Sequence, residues 1–437
     1  MKRRIASILM STVLLLNTMP LSAAPAAGDP AEGAVLHSEN VAQEMIQEEE
    51  LPTGGFTLPE VVEFSEQEAK KINEAFAQKR EEEAISAEAA IYSYASETVD
   101  EVFVKGASNY GRNHLSAAQK SFYDDLNTAL LNFVKSGDTV VQSGGSYIAA
   151  EGLAYASYGL DYSGAVEAYM AFDYDHPAYY WLDGPGNDPW SGTIYPTVHE
   201  EFADPAIREM RDRQIISGVK RIAAKTAQGN TAFEKIVIVV DEIMEAADYA
   251  HEIDPDTGKE TNIAVSAKWA HSPIGIFDES LAHVVCEGYA DTFALMMNYL
   301  DIPNVYIAGF GGGEGHAWNA VSYDGGQTYS YMDITWDDCG HNADTGLAEP
   351  SLYMYFGMPK DNFETKHQAL SSSYSGSLWL YDLPSSLTND MQHTYYYMAG
   401  HYVGDSTSNL SVYAQNAKNN MIGNGRYFAM ITDSLDT

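Results

Sequence analysis

The sequence predicts a protein that combines α-helices with antiparallel strands. Apolar residues recur at helical spacing over 116–137 and again over 290–300, whereas two strand-like runs flank Asp324-Gly325. Such a dipeptide between strand-like runs is a strong signal of a β-hairpin. We therefore expect a mostly helical N-terminal domain over 56–230, followed by a unit of helix and hairpin over 231–358.

The first residues have the composition of a secretory signal peptide. Three basic residues at 2–4 precede the apolar stretch Ile5–Leu16, and small residues follow. That stretch is shorter than the roughly 20 residues that span a bilayer. We expect removal of residues 1–26, a secreted mature chain without membrane insertion, and a flexible acidic leader over 27–55.

The chain is strongly acidic, with a formal net charge of −38 over 437 residues. A surface of this sign repels nucleic acids and anionic lipids. We therefore expect no nucleic-acid partner. The predicted location is extracellular, and association with the cell surface is left open.

Two capping boxes mark the starts of helices. Ser116 with Gln119 precedes an apolar pattern that ends at Gly137, and Thr231 with Glu234 precedes a second apolar helix. In these boxes each side chain accepts a hydrogen bond from the backbone of the other residue, which satisfies two free N–H groups.

We expect neither a metal nor another cofactor. The segment 254–260 resembles a fragment of a calcium loop, but it lacks the full series of oxygen ligands. The sequence also contains no His-Glu-x-x-His helix of the kind that binds catalytic zinc.

Cys286 is a candidate nucleophile. It is one of two cysteines, the other being Cys339, and two are too few for a disulfide framework. Cys286 stands just before the helical pattern that runs from Ala290. The positive end of a helix favours a thiolate, and its free N–H groups can stabilise an oxyanion. A buried structural thiol and a Cys286–Cys339 disulfide are the alternatives.

His316 and Asp333 are candidate partners of this cysteine. If Asp324-Gly325 is a two-residue turn, the hairpin register places His316 directly opposite Asp333 on one face. The carboxylate could then accept from one ring nitrogen while the other nitrogen takes a proton from a thiol. A bulge at Gly326 would shift the register by one and separate the pair.

Three motifs resemble the core of the bacterial transglutaminase-like superfamily: V-C-E-G-Y-A at 285–290, G-H-A-W-N at 315–319 and M-D-I-T-W-D-D at 332–338. The segment around 175–181 resembles the helical part that precedes this core in exported members. The resemblance implies a papain-like α+β fold, in which a nucleophile helix packs on an antiparallel sheet. It also carries Cys286, His316 and Asp333 over as a catalytic triad.

Two tryptophans are candidates for lining this site. Trp269 lies upstream of the nucleophile, and its ring N–H could be a second oxyanion donor, although a core position is the alternative. Trp318 shares the predicted face of His316 and, by the same hairpin register, would lie opposite Tyr331. There it could shield the triad from water.

The resemblance implies thiol-dependent acyl transfer on the amide bonds of proteins or cell-wall peptides. We expect hydrolysis, by a peptidase or amidase. One alternative is a transglutaminase that cross-links glutamine to an amine, and another is a non-catalytic surface protein that binds or scaffolds. Residues 359–437 are predicted to form a C-terminal tail that packs on the core.

Overall fold

The computed structural model describes residues 61–86, 100–338, 353–370 and 381–399. Up to Met398 these residues belong to one compact unit, formed by Leu51–Asp338 and Tyr353–Met398. The predicted signal peptide and leader, Cys339 and the chain after 399 lie outside the described residues. In the described ranges, no helix combines the length and the apolar character needed to cross a bilayer.

Helices and strands alternate along the chain, which confirms the expected mixture of the two. The helices are α1 (Glu66–Ser86), α2 (Tyr110–His114), α3 (Ala117–Ser136), α4 (Tyr162–Asp175), α5 (Pro205–Thr226), α6 (Ala232–Ala246), α7 (Ile274–Phe277), α8 (Cys286–Tyr299), α9 (Ile334–Asp337), α10 (Lys360–Phe363) and α11 (Tyr395–Met398). The strands are β1 (Val62–Glu63), β2 (Val141–Ser143), β3 (Ser146–Ile148), β4 (Leu153–Ala154), β5 (Leu182–Asp188), β6 (Thr193–Val198), β7 (Asp248–Tyr249), β8 (His251–Ile253), β9 (Glu260–Ala264), β10 (His283–Val284), β11 (Asn304–Gly311), β12 (Glu314–Val321), β13 (Ser330–Met332), β14 (Phe356–Met358) and β15 (His367–Ala369).

Both predicted capping boxes are confirmed. The Ser116 side chain accepts from the Gln119 backbone N–H, and the Gln119 side chain accepts from the Ser116 N–H at 3.0 Å. Thr231 and Glu234 form the same reciprocal pair at the start of α6. Gly137 caps the end of α3 with a φ of 63°, a left-handed conformation that glycine adopts without strain.

The N-terminal part contains a sheet that the sequence patterns did not predict. Beside helices α1 to α5 lie six strands in the order β1-β5-β6-β3-β2, with β4 paired to β6. Four of these strands are only two or three residues long. The longest, β5, reads L-D-G-P-G-N-D and lacks the alternation that identifies a strand. This sheet adds to the helices that were expected in the N-terminal domain.

A second sheet positions the candidate site. It has five strands in the order β14-β13-β12-β11-β15, all paired antiparallel. Helix α8 packs on β11 and β12, and the Asn319 side chain donates to the Ala290 carbonyl across this contact at 3.1 Å. One continuous hydrophobic core extends from the N-terminal helices to this sheet.

Candidate active site

Cys286 is the first residue of α8, in agreement with the position predicted from the apolar spacing. It is a free thiol and has no exposed surface. The N-cap residue Val285 provides no side-chain acceptor for the helix N-terminus. The sulfur therefore lies at a helix end where backbone N–H groups favour negative charge.

Tight backbone packing fixes this helix start. The Val285 N–H donates to the Ala270 carbonyl at 2.9 Å. A Cβ added to Gly288 would lie 2.1 Å from Val284 Cγ2 and 2.7 Å from the Ala270 oxygen. Only glycine allows this approach, so Gly288 keeps the first turn of α8 against the preceding segment.

The hairpin register differs from the predicted one by two residues. Asn319 pairs with Met332, and Ala320, not Trp318, pairs with Tyr331. Continuing this register by one step would place Asp333 beside Trp318, so Asp333 is diagonal to His316 and not directly opposite it. Because side chains alternate with a period of two, the shift keeps both residues on one face.

The longer connection explains the shift. Residues 322–329 form a loop instead of a two-residue turn. The Asp324 carboxylate accepts from the backbone N–H groups of Gln327 and Thr328, at 3.0 and 2.9 Å, and the Ser322 hydroxyl accepts from Gly326. These side-chain bonds stabilise a wider loop than the dipeptide alone would form.

His316 and Asp333 form a buried hydrogen-bonded pair. His316 Nε2 donates to Asp333 Oδ2 at 2.8 Å, and neither side chain has exposed surface. The other carboxylate oxygen accepts from the Trp336 N–H at 3.2 Å, which makes Asp333 the N-cap of α9. The carboxylate thus orients the imidazole while its own position is fixed by the helix.

The charges in this cluster stabilise a protonated His316. Burial alone would lower its pKa, but the negative charges of Asp333 and Cys286 outweigh burial and raise it to about 10. Burial likewise opposes ionisation of Asp333, yet His316 and His367 hold the pKa of that carboxyl well below its usual range. His316 Nδ1 has no partner of ordinary hydrogen-bond geometry. Cys286 is nevertheless close enough for its charge to raise the pKa of this imidazole, as the charge of Asp333 does.

A second histidine, His367, shares the same carboxylate oxygen. Its Nε2 donates to Asp333 Oδ2 at 2.9 Å, and its Nδ1 lies 3.2 Å from the Phe363 carbonyl oxygen. Burial and the charge of His316 lower the pKa of His367, although its hydrogen bond with Asp333 opposes this. Strand β15 brings it into place, because His367 pairs with Gly311 of β11.

Sequence analysis missed His367. It follows Asp333 by 34 residues and lies in a segment assigned to the tail. No local motif marks it, and the pairing of β15 with β11 places it beside Asp333.

His316, Asp333 and His367 also have the donor atoms that a metal ion would need. One ligand atom from each lies within 4.8 Å of the others. The two hydrogen bonds to Asp333 already explain this convergence, because each imidazole N–H finds an acceptor.

Trp318 packs within the cluster, whereas the role of Trp269 stays a prediction. The Trp318 ring stacks on His316 with centroids 5.9 Å apart and meets His367 edge-on at 5.1 Å. Trp269 is half-buried in the short 3₁₀ turn Lys268–His271. In the part of the chain that is described, no hydrogen bond joins its ring N–H to Cys286.

Tyr249 is a further neighbour of Cys286 that the sequence patterns did not reveal. Parallel pairing of β7 with β10 places it beside Val284, two residues before Cys286. Its hydroxyl accepts a hydrogen bond from the Cys286 backbone N–H. Burial and the charge of Cys286 raise the pKa of Tyr249 far above its usual value, so the hydroxyl stays protonated and can donate.

Comparison with known proteins gives no family assignment. No family model matches the chain, and no curated protein matches it in sequence. Among solved structures it is similar to a TGase, with 13% identity over 45% of this chain and 52% of that one and a TM-score of 0.24. It is also similar to a proposed cysteine protease from Cytophaga hutchinsonii, with 14% identity over 40% and 56% and a TM-score of 0.20. The chain thus spans about half the length of each structure, and such scores define neither family nor activity.

Proposed function

We propose that this protein is a secreted cysteine enzyme that transfers acyl groups from amide bonds of proteins or cell-wall peptides. Cys286 is the nucleophile, His316 the acid and base, and Asp333 the carboxylate that orients His316. The observation that supports this most is the fully buried hydrogen bond of 2.8 Å between His316 and Asp333. The charge of Cys286 also raises the pKa of the same imidazole. The motifs at 285–290, 315–319 and 332–338 favour a papain-like, transglutaminase-like core.

The first half of the reaction forms a thioester. A protonated His316 stabilises negative charge on the Cys286 sulfur, which attacks the amide carbonyl carbon. The oxyanion accepts from the Cys286 backbone N–H and from the Tyr249 hydroxyl, once the carbonyl oxygen has displaced that hydroxyl from the N–H. His316 then gives its proton to the leaving nitrogen, the C–N bond breaks, and an amine departs.

The second half returns the sulfur to its starting state. Water enters, His316 takes one of its protons, and the resulting hydroxide equivalent attacks the thioester carbon. The C–S bond breaks, the carboxylic acid leaves, and the proton on His316 again faces a negative sulfur. If a primary amine attacks instead of water, the product is a new amide, so the acceptor alone separates hydrolysis from cross-linking.

The test of the nucleophile is the rate of alkylation of the mature protein by iodoacetamide between about pH 5 and 9, with each cysteine identified by mass spectrometry. We expect Cys286 to react faster than Cys339 near pH 6, and His316→Ala to abolish that difference. Cys339 serves as the control within the same molecule. Equal rates for the two cysteines in the reduced protein would refute the proposal, as would reaction of Cys286 only after a disulfide is reduced.

Hydrolysis and cross-linking separate in a second assay. A protein substrate is incubated with the enzyme and a fluorescent primary amine, and both new amino groups and bound fluorescence are measured. Hydrolysis predicts new amino groups without incorporation. Incorporation of the fluorescent amine that requires Cys286 would favour the cross-linking alternative. If neither new amino groups nor bound fluorescence is found and Cys286 is alkylated slowly, the result would favour the non-catalytic alternative.

A further inference from the structure

Two tryptophan rings stack on the imidazole of His316. Trp318 follows His316 by two residues in β12, so the two side chains lie on the same face of the sheet. Their ring centroids are 5.9 Å apart, and their planes differ by 27°. Trp336 of α9 stacks on the same imidazole at 5.2 Å and 26°. Each indole therefore turns the face of its π system toward His316.

An aromatic face attracts a positive charge. The quadrupole of the ring places negative charge on its face, and a cation within about 6 Å of the centroid is stabilised, most strongly by tryptophan. Both centroid distances at His316 lie within this range. His316, Trp318 and Trp336 are 0%, 1% and 5% exposed, so little water screens the attraction. The arrangement favours an imidazolium at His316 over a neutral imidazole.

The ring N–H of Trp318 is not what holds this side chain in place. It is buried and has no hydrogen-bond partner within the described residues. A donor left unpaired in the interior costs about 1–3 kcal/mol. Phenylalanine would fill part of the same space without this cost, but its ring attracts a cation less than indole does. The unpaired donor therefore indicates that the indole face is the feature that matters at this position.

The charged neighbours of His316 act at the edge of its ring, where hydrogen bonds form. Burial lowers the pKa of His316, and the negative charges of Asp333, at the N-cap of α9, and of Cys286, at the start of α8, raise it. His367 of β15 also donates to the Asp333 oxygen, at 2.9 Å, so His316 shares that carboxylate. Attraction by the ring faces adds to these charges without competing for their hydrogen-bonding atoms.

Three further titratable groups lie close enough to Asp333 to feel its charge. They are Tyr249 of β7, Tyr355 before β14 and Asp337 of α9, and burial raises the pKa of each. None of the three can carry a positive charge. Among these neighbours it is therefore His367, when protonated, that would repel an imidazolium at His316.

We propose that Trp318 and Trp336 are positioning residues that hold His316 in its positively charged form, ready to give a proton to the leaving nitrogen. The imidazolium lies against the two ring faces while Asp333 accepts from its Nε2–H. Weakening either face should make the proton easier to lose without breaking this hydrogen bond. The inference rests on the proposed function, because it assigns two more residues to the same acid.

The test weakens the ring faces and nearly preserves their shape. Fluorine atoms withdraw electrons from an indole face and are only slightly larger than the hydrogens they replace. Position 318 or position 336 of the reduced, full mature protein receives tryptophan, a monofluorotryptophan or a trifluorotryptophan by suppression of a stop codon. The pH at which His316 loses its proton is measured by NMR on isotope-labelled histidine, and His316→Gln assigns the signal. We expect this pH to fall stepwise with added fluorine, by about 0.5–1 unit for the trifluorinated ring.

Trp181 provides the matched control. It is a fully buried tryptophan whose ring meets Phe133 and Tyr179 edge-on. The same fluorinated residues at position 181 should leave the titration of His316 unchanged. Trp336→Phe and Trp336→Leu give a second measure, because phenylalanine keeps a weaker ring face and its titration should lie between those of the wild type and the leucine variant. If the leucine variant does not fold, the fluorinated proteins decide the question.

The outcomes separate this inference from the proposed function. If fluorine at positions 318 and 336 leaves the titration of His316 unchanged or moves it to higher pH, the rings only fill space, and the inference fails even where Cys286 reacts faster than Cys339. A shift equal to that caused at position 181 also refutes it, because the effect would then be general. If the titration moves as expected but Cys286 reacts no faster than Cys339, the rings stabilise the imidazolium and the proposed function fails.

Discussion

Substitution of Asp333 by Asn removes the negative charge that two buried histidines share and keeps the shape of the side chain. The carboxylate oxygen accepts from His316 and His367 at 2.8 and 2.9 Å, and the pair with His316 has no exposed surface. Removal of one partner from a buried ion pair costs about 3–5 kcal/mol. The rise in the His316 pKa from 6.5 to about 10 corresponds to about 5 kcal/mol at 1.36 kcal/mol per pKa unit. Because Cys286 contributes to this rise, we expect Asp333→Asn to lower the free energy of unfolding by about 3–5 kcal/mol.

The loss should depend on pH in a definite direction. The pKa of His316 is raised in the folded protein, so its stabilising contribution is complete below about pH 6.5 and disappears as the pH rises through about 10. The pKa of Asp333 is depressed, so its contribution is complete above about pH 4 and is lost in stronger acid. The variant should therefore be most destabilised near pH 5–6 and approach the wild type near pH 10.

Urea unfolding near pH 6, 8 and 10 measures this difference. Asp337→Asn is the matched control, because Asp337 is equally buried and close in the chain, but its carboxylate accepts from the Tyr355 backbone N–H instead of a histidine. Turnover by Asp333→Asn should fall by about a thousandfold or more. A destabilisation of the same size near pH 6 and pH 10 would contradict the assigned charges, and so would unchanged alkylation of Cys286.

Substitutions at three further positions test the surroundings of Cys286, His316 and Asp333. His367→Leu should lower turnover by about 10–100-fold, as loss of an orienting partner does, whereas His367→Gln, which keeps a donor for Asp333, should retain most activity; equal loss in both would show only a packing role. Tyr249→Phe should lower kcat by about tenfold or more with little change in KM, and a faster variant would show that the hydroxyl blocks the site. Gly311→Ala would place a Cβ 2.7–2.9 Å from the His316 ring. As for an overpacked core, the free energy of unfolding should fall by about 1–3 kcal/mol, and the melting temperature should fall with it. An unchanged melting temperature would mean that the ring can move freely.

Local sequence patterns were sufficient where neighbouring residues decide the structure. The start of α8 at Cys286 follows from apolar spacing, and the starts of α3 and α6 follow from their capping boxes. The common face of His316 and Asp333 also follows, because any even shift in register preserves it. The sequence by itself thus determined that Cys286 begins a helix and that His316 and Asp333 lie on one face of the hairpin.

Only the tertiary structure decided what long-range contacts control. The two-residue shift of the hairpin is the exception, because it depends on bonds between residues three or four apart within loop 322–329, which the turn dipeptide alone did not reveal. Tyr249 approaches Cys286 through pairing with β10, and His367 approaches Asp333 through pairing with β11, and neither pairing has a local signal. Such contacts join residues far apart in the chain, and their energy depends on packing that periodicity cannot encode.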